Sequence, residues 1–269
     1  MEIHTMSGNI WIDAWLLLAL WQTLLFVYQY FKKDAGIVDA GWAIGMAFMA
    51  AWLAWHGTGD QSRRMFLALA GGLWGLRLAF HLLINRVLPA GEDGRYLMLR
   101  ESWGKSANLN FFIFFQVQAA WSLLFAVPFY AVSENQAALN SADLIALIIW
   151  IIAIAGESTA DRQLENWKKS PENHGKTCRT GLWQYSRHPN YFFEWTHWWS
   201  YVFLAWASPY FLLTFLGPSI MLLFLYKITG IPYTEKRALL SRGDDYRDYQ
   251  RTTSAFFPWW PKSDSGALK

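Results

Sequence analysis

Charge is scarce in this sequence, and cysteine is almost absent. Asp, Glu, Lys and Arg make up 16% of the 269 residues, against roughly 25% in soluble domains. With 54% hydrophobic residues, such a chain cannot stay solvated, which excludes disorder. The single cysteine, Cys178, excludes a disulfide scaffold and a cysteine-based zinc site. No G-x-x-x-x-G-K-[ST] occurs, so there is no P-loop. No G-x-G-x-x-G follows a strand pattern, so there is no Rossmann fingerprint. Period-2 alternation is missing from the apolar runs, which argues against a β-barrel. Internal repeats, low-complexity tracts and flexible linkers are missing too, so residues 1–269 read as one domain.

Aromatic residues fill the space that charge leaves: 18 Trp, 19 Phe and 12 Tyr. The mean hydropathy of +0.12 is modest for a membrane protein, because Trp and Tyr score poorly although they concentrate at bilayer interfaces. Seven stretches have the length and apolarity of a membrane span: Asn9–Phe31, Ile37–Trp55, Met65–Ile84, Leu109–Val132, Leu144–Ala160, Tyr191–Ala207 and Tyr210–Tyr226. The last two meet at Ser208-Pro209 and read as a tight helical hairpin. The first is too long for a signal peptide and lacks a basic lead.

Of the 23 basic residues, all but Arg63, Arg64 and Arg77 fall in loops on one side. The positive-inside rule then puts the N-terminus outside and the C-terminus in the cytosol. The expected fold is all-α and polytopic with seven transmembrane helices. The net charge of +3 is a topology signal, not a nucleic-acid signal. The partners expected are membrane lipids and an apolar substrate, with no nucleic acid; a monomer is compatible with the sequence.

Ionisable residues at membrane depth are costly and point to function by default. Asp39 opens span two, where it either caps the helix or serves a site. Arg77 and His81, four apart on span three, share a face. Glu157 and Asp161 do the same at the end of span five. Glu194 and His197 have the i, i+3 spacing of bundle metal sites, but the second copy such sites need is missing, so no metal is expected. Gly71, Gly72 and Gly75 suit close helix packing.

The densest segment runs Gly181-Leu182-Trp183-Gln184-Tyr185-Ser186-Arg187-His188-Pro189-Asn190-Tyr191, with Glu194 after it. Pro189 starts a helix, and Arg187 and His188 stand at its positive end, which suits a pyrophosphate or carboxylate. Other clusters are Gly91-Glu92-Asp93-Gly94-Arg95-Tyr96 with Arg100, Asp161-Arg162-Gln163 with Lys168 and Lys169, and Glu235-Lys236-Arg237 with Asp245-Tyr246. Taken singly, each reads as an ordinary amphipathic cytosolic segment.

The tract from Gly181 to Glu194 resembles a signature shared by steroid 5-alpha-reductases, sterol reductases and isoprenylcysteine carboxyl methyltransferases. With Asp34–Trp42, Trp74–Arg77, Glu92–Tyr96 and the tail from Asp248-Tyr249 to Pro258-Trp259, residues 30–260 resemble the bacterial branch of the steroid 5-alpha-reductase family. The resemblance implies a seven-helix enzyme that uses NADPH to reduce the C4–C5 double bond of a 3-oxo-Δ4 steroid or a related flat enone entering from the bilayer. It places substrate mainly among spans one to four, with Asp39, Trp42 and Trp74. The cofactor falls mainly among spans five to seven and the cytosolic loops. There it implies Glu157, Asp161, Lys168, Arg179, Arg187, His188, Asn190, Tyr191, Glu194, Lys236 and Tyr246. Lys227, Lys236 or Arg237 takes the place of a phosphate-binding arginine. A family tyrosine three residues before Arg77 is replaced by Trp74.

Hydride addition to an enone builds negative charge on the carbonyl oxygen, so a donor aimed there lowers the barrier. A carboxyl in an apolar pocket can stay protonated and donate. Asp39 is the expected donor, with Arg77, Tyr28 or Tyr30 as alternatives. The rival reading is a membrane methyltransferase using S-adenosylmethionine, whose carboxylate would suit the same Arg187-His188 tract. A transporter is disfavoured by the lack of repeats.

Overall fold

A computed structural model describes residues 6–89 and 91–262. Lys269, one of the cations counted as cytosolic, lies outside them. Every regular element among the described residues is helical. Six segments are long and apolar enough to cross a membrane: Ile10–Lys32, Ile37–His56, Gln61–Val87, Gly94–Ser133, Ser141–Lys169 and Phe211–Arg242. This is the pattern of a multi-pass membrane protein. The sixth of the seven expected spans, Tyr191–Ala207, is not among them. Its helix is Pro189–Leu204, 16 residues, or about 24 Å at 1.5 Å per residue, less than the hydrocarbon core.

In chain order the helices are α1 (Ile10–Lys32), α2 (Ile37–His56), α3 (Gln61–Leu82), α4 (Gly94–Trp103), α5 (Ala107–Phe125) and α6 (Val127–Ser133). Then come α7 (Ser141–Lys169), α8 (Pro189–Leu204), α9 (Leu216–Leu223), α10 (Ile231–Arg242) and α11 (Asp244–Thr252). α3 and α9 each run on into a π-helical turn, Leu83–Val87 and Phe224–Ile228. Although the sequence reads as one domain, the chain divides into two compact units. One is Met1–Leu139 with Ala205–Thr214; the other is Asn140–Leu204 with Phe215–Lys269. The junctions are helix caps and short turns, so no polar linker marks them.

In the first unit, α2 packs on α3 and α1 on α5. α2 presents a small-residue stripe, Ala40, Ala43, Ala47, Ala50 and Ala54, all buried. Gly75 of α3 closes on it: a Cβ there would lie 2.6 Å from the Ala43 carbonyl. Gly72, expected to serve packing as well, faces open space. The opposite stripe of α3, Met65, Leu69, Leu73, Leu76 and Phe80, is exposed, as lipid contact requires. α1 starts on an Asn9 cap that accepts from Trp11 and Ile12. The buried Asp13 behind it, overlooked among the ionisable residues, accepts from the amides of Met6 and Ser7.

Arg63 and Arg64, expected in a loop opposite the other loop cations, lie in the first turn of α3 and are structural. Arg63 is 1% exposed. Its guanidinium donates to the carbonyls of Asn135 (3.1 Å), Ala137 (2.8 Å) and Ala138 (3.4 Å). Arg64 bonds the carbonyls of Gly59 and Ala54. Charge-assisted bonds to buried carbonyls are expensive to remove. Arg63→Ala is therefore expected to cost about 3 kcal/mol and to accelerate amide exchange over residues 134–138. Unchanged exchange there would show that the arginine does not hold this loop.

In the second unit, α7 packs along α8. Gly156 makes the approach possible, since a Cβ there would lie 2.4 Å from the Phe193 ring. α8 also packs on α9, and the Trp195 indole donates to the Pro218 carbonyl at 3.0 Å. The tail is sewn to the segment before α8. Arg187 N bonds Ser254 O (2.8 Å), Trp259 N bonds Tyr185 O (2.9 Å), Ser186 Oγ bonds Phe256 O (2.9 Å), and the buried Tyr249 hydroxyl donates to the carbonyls of Trp183 and Ser186.

Candidate functional site

The first unit gathers its polar residues at the start of α2. Gly36 is the N-cap, without a side-chain bond, so Asp39 does not cap the helix. It sits in the first turn, where both oxygens accept. Arg95 donates to Oδ2 at 2.7 Å, and the Tyr96 hydroxyl to Oδ1 at 2.7 Å. Local sequence builds this arrangement. Asp93 caps α4 by accepting from the Arg95 amide at 2.9 Å, which places residues 95 and 96 in the first turn of that helix. Burial alone would raise the Asp93 carboxyl, but the Arg95 charge and bonds hold it below the usual range. Tyr96 is buried in an apolar cluster with Ala35, Val38, Phe111 and Phe115.

A second pair fixes the loop before α4. Glu92 accepts from Arg100 through both oxygens, at 2.7 and 2.8 Å. It also accepts from the Ala35 amide at 2.8 Å. This bidentate geometry is the strong form of an ion pair. Arg100 also reaches Gln29 Oε1 at 3.2 Å and lies over the Phe111 ring. Nearby, burial pushes the Asp34 carboxyl above its usual range.

With both oxygens engaged, Asp39 holds the Arg95 guanidinium and the Tyr96 hydroxyl in place, where the sequence led to an expectation of a carboxyl donor. Tyr28 and Tyr30, the expected alternatives, are exposed on α1, with Tyr30 against Phe26 and Phe31. Arg77 is half-buried on α3, four residues before His81, which bonds Asn85. Trp74 is fully buried and meets Trp42 edge to face, centroids 6.1 Å apart. Trp42 in turn meets Phe125, so this pair is part of the core packing.

The second unit has its own polar cluster where α8 begins. Asn190 donates to Asp161 at 3.1 Å and accepts from the Tyr191 amide. Glu157, one turn before Asp161 on α7, is also buried. Glu194 is buried and accepts from the Trp198 indole at 3.3 Å. His197 shares a 2.8 Å hydrogen bond with the Tyr201 hydroxyl. Tyr191 bonds Thr234, and its ring stacks on His188.

Arg187 and His188, expected to form an anion site, are engaged within the protein. Arg187 donates to Glu235 at 2.7 Å and to the carbonyls of Gln250 (3.0 Å) and Thr253 (2.6 Å). His188 lies 3.2 Å from the same Glu235 oxygen, and Gln250 donates to the other at 2.7 Å. The arginine is thus spent on joining the head of α8 to α10 and the tail. Burial holds His188 below its ordinary value despite the Glu235 bond, so at neutral pH the imidazole is uncharged. Glu235, read from sequence as one more amphipathic residue, is the centre of this cluster. Of the cations expected at the cofactor, Lys168, Arg179 and Lys236 are exposed, and Arg179 pairs with Asp245 at 2.9 Å. Tyr246 is buried, and burial raises its hydroxyl.

The His188 shift has a signed consequence. Its folded pKa lies below the unfolded value of 6.5, so the unfolded chain takes up the proton first. Stability is full above pH 6.5 and falls as pH drops from 6.5 toward the folded value. Thermal midpoints measured between pH 7.5 and 5.5 are expected to decline, and His188→Gln to flatten the slope. An equally steep slope in that variant would acquit His188.

An all-helical chain with membrane-length apolar helices and two polar clusters near helix ends belongs to the class of multi-pass membrane proteins with buried polar sites. The family model described as a protein of unknown function, DUF1295, matches residues 25–253. The chain belongs to that family. It is also similar to an uncharacterised protein of the fission yeast Schizosaccharomyces pombe, 25% identical over 296 residues, covering 98% of this chain and 86% of that protein. No solved structure matches the chain.

Proposed function

We propose that this protein is an NADPH-dependent membrane reductase. It acts on the C4–C5 double bond of a 3-oxo-Δ4 steroid or a related enone lipid, as the resemblance to the bacterial steroid 5-alpha-reductases implies. The observation that carries the proposal is Asp39 holding the Arg95 guanidinium and the Tyr96 hydroxyl against an aromatic wall. An enone oxygen meeting the guanidinium that Asp39 orients gains stabilisation as negative charge develops on it. The low-polarity surroundings from Phe111 and Phe115 strengthen that effect.

Bound NADPH would supply the hydride. The second unit offers the exposed Lys168, Arg179 and Lys236 for the phosphates. Asp161, Asn190, Glu194 and Tyr246 offer donors and acceptors for its uncharged parts. Arg187 and His188 do not fit the phosphates, because one is committed to Glu235 and the other is uncharged. In this reading α8 crosses as a hairpin with α9, the bilayer thinning over its short length, which gives seven membrane-crossing segments, an outside N-terminus and a cytosolic cofactor side in a bacterial inner membrane.

The test is to incubate membranes carrying the protein with NADPH and a 3-oxo-Δ4 steroid and to seek the saturated product by mass spectrometry. The detergent-purified protein should gain thermal stability from NADPH. A gain from S-adenosylmethionine instead would replace the reductase with a methyltransferase.

A further inference from the structure

A groove of about 510 Å³ lies in the second unit between the end of its last apolar helix and the tail. Leu222, Tyr226 and Lys227 line one side, and Ser254, Ala255 and Phe257 the other. The size is that of a small-molecule site, and most of the wall is apolar. The helix reaches it through the π turn Phe224–Ile228. Such turns change the register of side chains and recur at functional sites. Within that turn the Lys227 ammonium lies 5.7 Å from the Tyr226 ring centroid. The lysine is exposed, and no carboxylate is paired with it among the ion pairs of the described residues.

The surface beside the groove is also apolar. Phe257 is 53% exposed, and Trp259 and Trp260 are each 73% exposed. Their backbone is nonetheless held, by Trp259 N to Tyr185 O at 2.9 Å and Lys262 N to Thr252 O at 2.8 Å. Large aromatics displayed on a fixed backbone at the end of an apolar helix are the signature of a membrane–water interface. An occupant must match apolar walls and a cation together, and must be present where such a helix ends. The geometry points to an anionic phospholipid, with an acyl chain in the groove and its phosphate at Lys227. A cofactor phosphate would satisfy the lysine but leave the apolar walls uncovered.

The experiment is native mass spectrometry of the full chain in detergent with equal amounts of phosphatidylglycerol and phosphatidylcholine. Wild type should retain one lipid and prefer phosphatidylglycerol by about fivefold, the contribution of one lysine at an anionic surface. Lys227→Gln, a change at an exposed position, should remove the preference and keep the binding. Ala255→Trp should fill the groove and reduce retention of both lipids. Retention that is equal in all three proteins overturns the assignment. So does a Lys227→Gln protein that keeps its lipid preference, or one that loses NADPH-dependent thermal stabilisation instead. The lipid readout does not need NADPH to bind, so its failure is separable from failure of the reductase reading.

Discussion

Asp39→Leu is expected to lower NADPH-dependent reduction of a 3-oxo-Δ4 steroid by at least about 100-fold, the cost of losing one oriented donor at a developing oxyanion. The reason lies in its partners. Without the carboxylate, Arg95 loses the acceptor at 2.7 Å from its guanidinium and Tyr96 the acceptor for its hydroxyl. The guanidinium loses its orientation and the buried Tyr96 hydroxyl loses its acceptor at once, so the effect exceeds that of an isolated side chain. Tyr96→Phe should give a smaller loss, because Arg95 still pairs with Asp39. The cofactor residues proposed in the second unit are untouched, so the thermal shift from NADPH should persist in both variants. Full activity in Asp39→Leu would remove the residue from the mechanism.

Arg187→Ala should act on stability, not on cofactor affinity. Its side chain is 11% exposed and that of Glu235 15%, so the substitution leaves a nearly buried carboxylate without its main partner. Breaking such a pair from one side costs about 3–5 kcal/mol, which corresponds to a fall of roughly 10 °C in melting temperature. The carbonyls of Gln250 and Thr253 lose their donor too, so the tail should loosen first, visible as faster amide exchange after residue 249. Glu235→Gln should be milder, since an amide oxygen still accepts from Arg187. An Arg187→Ala protein that melts normally but no longer responds to NADPH would reverse the assignment and restore the guanidinium as a phosphate ligand.

The helices were legible because each apolar run is longer than any loop could hide, and the all-helical reading agrees with the structure. Asp39 was legible as costly at membrane depth, and Asn190 as an early-helix residue. Their partners were not. Asp39 meets Arg95 across 56 residues of sequence and Arg187 meets Glu235 across 48; periodicity says nothing about contacts at that range. Composition signals a cation but not whether a carboxylate has claimed it, so Arg187 read as an anion site. For Arg95 and Tyr96 a local signal was present: an Asp-Gly-Arg-Tyr start, with a capping acid, sets both residues in one helical turn. Helix length was hidden as well. The apolar run at Tyr191–Ala207 looks long enough to span, yet Leu204 ends α8, and the residues after it belong to the first unit.

Hydride transfer from NADPH to an enone carbon is the central claim, and isotope transfer tests it most directly. Membranes containing the protein would be incubated with a 3-oxo-Δ4 steroid and NADPH deuterated at the transferring position of C4. The expected product is the saturated 3-oxo steroid, heavier by one deuterium at C5 and absent from Asp39→Leu membranes. A saturated product without the label, or no product beyond that of membranes lacking the protein, contradicts the claim.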